Sequence, residues 1–212
     1  MSDPRVSIIY YSSTGTIHAM AERLRAAAMK AGAQVRQRQV RELVPSETIA
    51  TNPAWQRHVE HTKDEPRATA DDVVWADVVL IGSPTRYGNV ASQLKHYLDS
   101  LGPQWTQGLL ADKVYAGFTA AQTEHGGQES TLLALYNTIH HFGGIVVAPG
   151  YTDSNKYIDG NPYGVSHRTG PSNDRPLTDV EYDALDHLAI RAITIGAYLK
   201  VGAAADLRRA QS

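Results

Sequence analysis

In the stretch "IIYYSSTGTIHAMAERL", residues 8–24, a run of β-branched and aromatic residues ends at Tyr11 and gives way to Ser12, Ser13, Thr14, Gly15 and Thr16, after which Ile17 opens a helical pattern. Hydroxyls and backbone N–H groups at the start of a helix can hold a phosphate, assisted by the helix dipole. The loop is not a P-loop, because no Gly-Lys-Ser/Thr occurs, and it lacks the GxGxxG of dinucleotide folds. It carries no Lys or Arg, which suits a buried monophosphate ester held by hydrogen bonds instead of counter-charge. The same residues also suit an ordinary helix cap. On this loop alone both readings stand.

Three further polar or glycine-bearing segments carry candidate chemistry. In "SPTRYGN" (Ser83–Asn89), Pro84 and Gly88 fix a turn that would leave Arg86 and Tyr87 exposed at a strand end. A flat aromatic there can stack on a planar ring, although a structural turn with a surface tyrosine has the same composition. "TAAQTEHGGQE" places Gly126 and Gly127 just before a helix, where the backbone can approach a ligand closely. His141, in "TIHHFGG", can donate to a carbonyl or simply complement a helix dipole, and His140 beside it reads as a bystander. The fourth segment is "PGYTDSNKY".

Nine histidines show no HExxH or paired-ligand spacing, so no metal site is expected. The chain has no cysteine, which removes disulfides, thiolate metal sites and redox-active thiols together. Any redox chemistry must therefore be borrowed from a cofactor.

The elements that must position these segments alternate in type. Val6–Tyr11, Ala33–Val40, Asp77–Gly82, Lys113–Thr119 and Ile145–Pro149 read as strands. Ile17–Lys30, Val90–Leu101, Glu129–Phe142 and about Thr178–Val201 read as helices, the last with Thr178 as N-cap and Glu181 three residues on. Such alternation predicts an α/β fold whose parallel sheet is covered on both faces. Ligands in such sheets sit beyond the carboxyl ends of the strands, where the four segments would converge. Ala33–Val40 is the least apolar strand, as an edge should be, and Arg36, Arg38 and Arg41 fit its solvated face. Pro45–Asp72 and Thr152–Pro176 are read as long functional or assembly loops.

Composition sets the outer limits. The 212 residues are 42% hydrophobic and 20% charged, ordinary values for one globular domain over 1–212. A net charge of −2 gives no electrostatic reason to expect nucleic acid or a membrane surface. The N-terminus "MSDPRVSIIYY" lacks the basic-then-apolar form of a secretory signal, so a cytoplasmic address is expected.

Taken together, "YYSSTGTIHAMA", "GSPTRYGNVASQLKHYLD", "HGGQES" and "APGY…NPYG" resemble the WrbA-type NAD(P)H:quinone oxidoreductases over nearly the whole chain. The resemblance implies a flavodoxin-like, doubly wound five-stranded sheet of order 2-1-3-4-5. It implies bound FMN, NADH or NADPH as co-substrate, and ping-pong two-electron reduction of quinones with hydride transfer through flavin N5. Ser12, Ser13, Thr14, Gly15, Thr16 and Ile17 match the FMN-phosphate loop. Pro84, Thr85, Arg86, Tyr87, Gly88 and Asn89 match the turn against the isoalloxazine. Ala121, Gln122, Thr123, Glu124, His125 and Gly126 match the third FMN loop, and His141 the residue at the pyrimidine edge and the one candidate catalytic group. Trp105 matches an aromatic lining the substrate cavity of a neighbouring subunit in a homotetramer. Thr14 stands where several relatives carry an aromatic that shapes the nicotinamide pocket. A one-electron carrier docking onto a redox partner is the alternative; such carriers tend to be shorter and strongly acidic.

Overall fold

The computed structural model describes residues 3–209, so both ends of the expected 1–212 domain lie outside the described residues. β1 (Arg5–Tyr10) leads into α1 (Thr16–Lys30) and then β2 (Gln34–Gln39). Three short helices follow, α2 (Ser46–Ile49), α3 (Pro53–His61) and α4 (Ala70–Trp75), before β3 (Val78–Pro84). Then come α5 (Ser92–Asp99), α6 (Gly102–Thr106), β4 (Val114–Ala121), α7 (Gln128–His141) and β5 (Ile145–Val146). α8 (Lys156–Asp159), β6 (Val165–Arg168) and α9 (Asp179–Arg209) complete the series. The strands lie in the order β2-β1-β3-β4-β5, all parallel, as the alternation predicts and in the order that the resemblance implies.

Period-two alternation splits the core into two layers. Val6, Ile8 and Tyr10 of β1 face α1 and α9, whose Ile17, Met20, Leu24, Leu185 and Leu188 are buried. Ile9 and the following Tyr11 face the opposite layer, built on Leu94, Leu98, Leu132, Leu135 and Ile139 of α5 and α7. Consecutive tyrosines at the end of β1 therefore send their hydroxyls to opposite sides of the site.

Both segments read as loops contain regular structure. α2 and α4 span only four and six residues, too few for a period to show. α4 is fixed by a capping box, in which Asp72 Oδ2 accepts from the Thr69 N–H and hydroxyl at 3.0 and 2.9 Å. Arg36 and Arg38 are not a solvated basic face: both guanidiniums reach buried Asp72, at 3.3 and 3.0 Å. In the second segment β6 adds to the sheet as a sixth strand. It pairs with Phe118–Ala121 of β4, while β5 pairs only with Val114–Tyr115. The fifth row is one strand interrupted by residues 147–164, which leave the sheet and return. The excursion is pinned by Lys156, fully buried, which pairs with Asp159 and donates to the Gly164 carbonyl at 3.0 Å. α9 runs on to Arg209, past the expected end at Val201.

Candidate cofactor site

The hydroxyl loop joins β1 to α1 at the carboxyl edge of the sheet. The buried Ser12 hydroxyl turns back to accept from the Gly15 N–H at 3.1 Å. Gly15 is the N-cap of α1 at φ 108°, a conformation that an L side chain rarely adopts. No side chain of a described residue caps this helix. The N–H groups of Ser13, Thr14, Thr16, Ile17 and His18 make no hydrogen bond to any described residue. A cluster of free N–H groups at a 15-residue helix start, with hydroxyls beside it, is a set of donors suited to a phosphate.

The turn after β3 is a tight two-residue reversal. Arg86 and Asn89 exchange backbone hydrogen bonds of 2.7 and 3.0 Å, with Tyr87 and Gly88 between them at φ 53° and 77°. Positive φ at both central residues is the mirror-image type I′ turn. It packs backbone to backbone on the start of α7, since a Cβ on Gly127 would fall 2.9 Å from Gly88 Cα. The Thr85 hydroxyl bonds that of Thr131 on α7 at 2.7 Å. The third loop is fastened by Gln128, whose amide donates to the carbonyls of Thr123 and Glu124 at 2.8 and 3.2 Å.

These three loops enclose a cavity of about 450 Å³. Ser12, Ser13, Thr14, Thr16 and Ile17 line it with Pro84, Thr85, Arg86, Ala121, Gln122, Thr123 and Gly126. The cradle is not free of positive charge, as the loop composition suggested: Arg86 reaches across from the next strand, with Nη2 3.3 Å from Ser13 Oγ. Five lining residues lie beyond the predicted set: Asn52, Trp55, Ala120, Thr169 and Asn173. Asn52 caps α3, accepting from Ala54 and Trp55 at 3.1 and 3.2 Å, and "NP" at 52–53 is a legible helix start. Asn173, at φ 58°, donates to Thr14 Oγ1 at 2.6 Å, a contact over 159 residues that no local signal announces.

Other expected residues lie elsewhere. Tyr87 is fully exposed and, with Asn89, lines an adjoining cavity. Gly88 serves the contact between the turn and α7. Glu124 and His125 are exposed, with Glu124 3.4 Å from Arg168. His141 does not meet the cavity of its own chain. α7 starts at the cavity and runs away from it, so His141, 14 residues along, lies about 20 Å off. There its carbonyl accepts from the half-exposed Trp105 indole at 2.7 Å. The two residues expected to face a flavin are thus neighbours, at the other end of the helix.

Ionisable groups flank the cavity on both sides. Glu42 accepts from Tyr11, Trp55 and Gln93 at 2.8, 3.0 and 2.7 Å. Burial alone would raise its pKa, but the bonds from Gln93, the Val44 N–H and Tyr11 hold it below the usual carboxylate range. On the opposite side Tyr10 bonds Glu65 at 2.6 Å and His18 at 2.8 Å. His58 packs behind the Gly15 backbone, its Nδ1 3.6 Å from where a Cβ would stand. Burial, then the neighbouring His18, His61 and Arg67, lowers its pKa to about 4. Among the described residues no group of three or more His, Cys, Asp or Glu could hold a metal ion.

Comparison with known proteins agrees with this fold. The family model described as NADPH-dependent FMN reductase matches residues 4–157. A curated relative from Deinococcus radiodurans, named NAD(P)H dehydrogenase (quinone), is 40% identical over 92% of this chain and 96% of its own. One of the same name from Sinorhizobium fredii is 38% identical, over 85% and 90%. The solved structure of a flavodoxin, WrbA-like protein from Agrobacterium tumefaciens superposes with a TM-score of 0.66 at 18% identity, covering 92% of this chain and 99% of that one. A flavodoxin from the domain Archaea gives 0.59 at 14%, over 91% and 99%. At such identities the likeness is one of fold, and that fold is flavodoxin-like.

Proposed function

The chain belongs to the NADPH-dependent FMN reductase family, and from that membership we propose that it binds FMN in the 450 Å³ cavity and reduces quinones with NADH or NADPH. The observation that carries the cofactor assignment is the loop Ser12–Ile17, where five N–H groups unbonded to any described residue and the hydroxyls of Ser13, Thr14 and Thr16 surround the start of α1. FMN supplies the two-electron exchange between nicotinamide and quinone. The chain's own residues bind and orient it. The donors of the first loop and the Arg86 guanidinium hold the phosphate, and Asn173 fixes the Thr14 hydroxyl beside them. Pro84–Asn89 and Ala121–Gly126 offer two rigid walls for a planar ring, held to each other by the contact between Gly88 and Gly127. Cavity volume is in the range usual for cofactor sites. We take the whole chain as one domain, because both core layers share one sheet. A nicotinamide nucleotide as reductant fits a cytoplasmic address.

The same reading extends to assembly. His141 and Trp105 lie far from their own cavity, so they serve a flavin only when a neighbouring subunit presents one. We propose a homotetramer in which this pair completes an adjacent site, Trp105 walling it and His141 polarising the ring or the acceptor. Purified protein reconstituted with flavin, heated and chromatographed should release FMN at one per chain and oxidise NAD(P)H with a quinone. Release of FAD, or no flavin after reconstitution, overturns the cofactor assignment.

A further inference from the structure

Trp55 stands between two cavities. With Arg86 it lines both the cofactor cavity of about 450 Å³ and the adjoining one of about 560 Å³. Tyr11, Val44, Tyr87 and Val90 form the apolar walls of the second space. The indole belongs to neither core layer, so its fixed position is not explained by packing of the fold.

Its anchorage is unusually complete for a partly exposed side chain. Indole Nε1 donates to Glu42 Oε2 at 3.0 Å. The same oxygen accepts from the Tyr11 hydroxyl at 2.8 Å. The other takes the Gln93 amide at 2.7 Å and the N–H groups of Leu43 and Val44 at 2.9 and 3.1 Å. At the backbone, the Trp55 N–H is held by the Asn52 cap at 3.2 Å. A charge-assisted acceptor held by four other donors fixes the ring plane, and ordering a large aromatic at a cavity wall is compensated when a ligand lies against it.

We propose that Trp55, fixed by Glu42, is the partition between the two cavities and sets how large an acceptor reaches the cofactor ring. Glu42 acts through Trp55 and is a positioning residue. A single-ring benzoquinone fits with the partition in place. A fused-ring quinone needs space on both sides of it. This rests on the assignment of FMN to the cavity of about 450 Å³ behind the hydroxyl loop, and the test separates the two.

FMN is titrated into apoprotein of the wild type, Trp55→Ala, Trp55→Phe and Glu42→Gln, and kcat and KM are measured with a benzoquinone and an anthraquinone. Trp55→Ala should weaken FMN binding roughly 3- to 10-fold and shift the kcat/KM ratio about tenfold toward the anthraquinone, mostly through KM. Trp55→Phe, which keeps a ring, should restore most of the wild-type ratio. Glu42→Gln, nearly isosteric, should move the ratio the same way as Trp55→Ala, and serves as the test if the alanine variant does not fold. Unchanged FMN affinity and acceptor ratio in Trp55→Ala, or in Glu42→Gln where it stands in, overturns the partition. A wild type that takes up no FMN overturns the cofactor assignment and the partition with it.

Discussion

Tyr87 bears a backbone cost that no contact with a described residue offsets. Its φ of 53° is left-handed, which disfavours an L residue by roughly 1–2 kcal/mol, and its ring is wholly in water. Glycine would suit the turn better, and under the proposed function the tyrosine meets the flavin ring. Tyr87→Gly should therefore leave the thermal midpoint unchanged or raise it, while FMN binding weakens by about 1–3 kcal/mol. Calorimetry and fluorescence titration read the two effects separately. His58 makes a pH prediction. In the unfolded chain it titrates near the usual ~6.5, whereas the fold holds its pKa at about 4, chiefly by burial. The unfolded state takes up the proton first, so the stabilisation is complete above about pH 6.5 and is lost as pH falls toward 4, by roughly 3 kcal/mol at most. Urea titrations across that window should show the loss in the wild type and a flatter profile in His58→Leu.

At the scale of elements, the site is held by helix starts and turns that touch directly. The turn 86–89 and the N-cap of α7 meet through Gly88 and Gly127, and Gly127 itself sits at φ 91°. Gly127→Ala puts a Cβ 2.9 Å from Gly88 Cα and 3.1 Å from Ser130 Oγ. It should destabilise the protein by about 1–3 kcal/mol and push the turn away from the cavity, weakening FMN binding. Thermal melts of apo and FMN-loaded protein would show it: the loaded form should lose more than the apo form. Equal losses would confine the effect to folding. α3 contributes differently. Its helix start brings Asn52 and Trp55 to the cavity, and its far turn brings His58 and His61 against His18 of α1.

At the scale of the molecule, the proposed division of labour between subunits follows from α7. Its first residue fastens the cofactor loop of one chain, and its last bonds Trp105 at the opposite end. If this end completes a neighbour's site, quinone reduction should fall as the assembly dissociates. Light scattering and activity assays along one dilution series should track each other. Full activity in a monomer would refute the shared site. Trp105→Ala in the intact assembly should lower kcat/KM for quinone severalfold with FMN affinity unchanged.

The sequence by itself determined the architecture and the three loops. Long apolar strands alternating with amphipathic helices have one economical solution, a covered parallel sheet, and its carboxyl edge must collect the segments after each strand. The hydroxyl loop, the Pro84–Arg86 stretch and Ala121–Gly126 were legible because local composition and position both pointed there. Elements of four to six residues were not: α2 and α4 are too short for a period to show, and the return strand β6 depends on its pairing with β4, which is decided across the fold. The opposite destinations of Tyr10 and Tyr11 and the guanidinium at Ser13 needed distances between segments far apart in the chain. So did the Asn173 contact and the placement of Trp55. Helix direction settled what spacing could not: a histidine at the end of α7 cannot reach the cavity at its start.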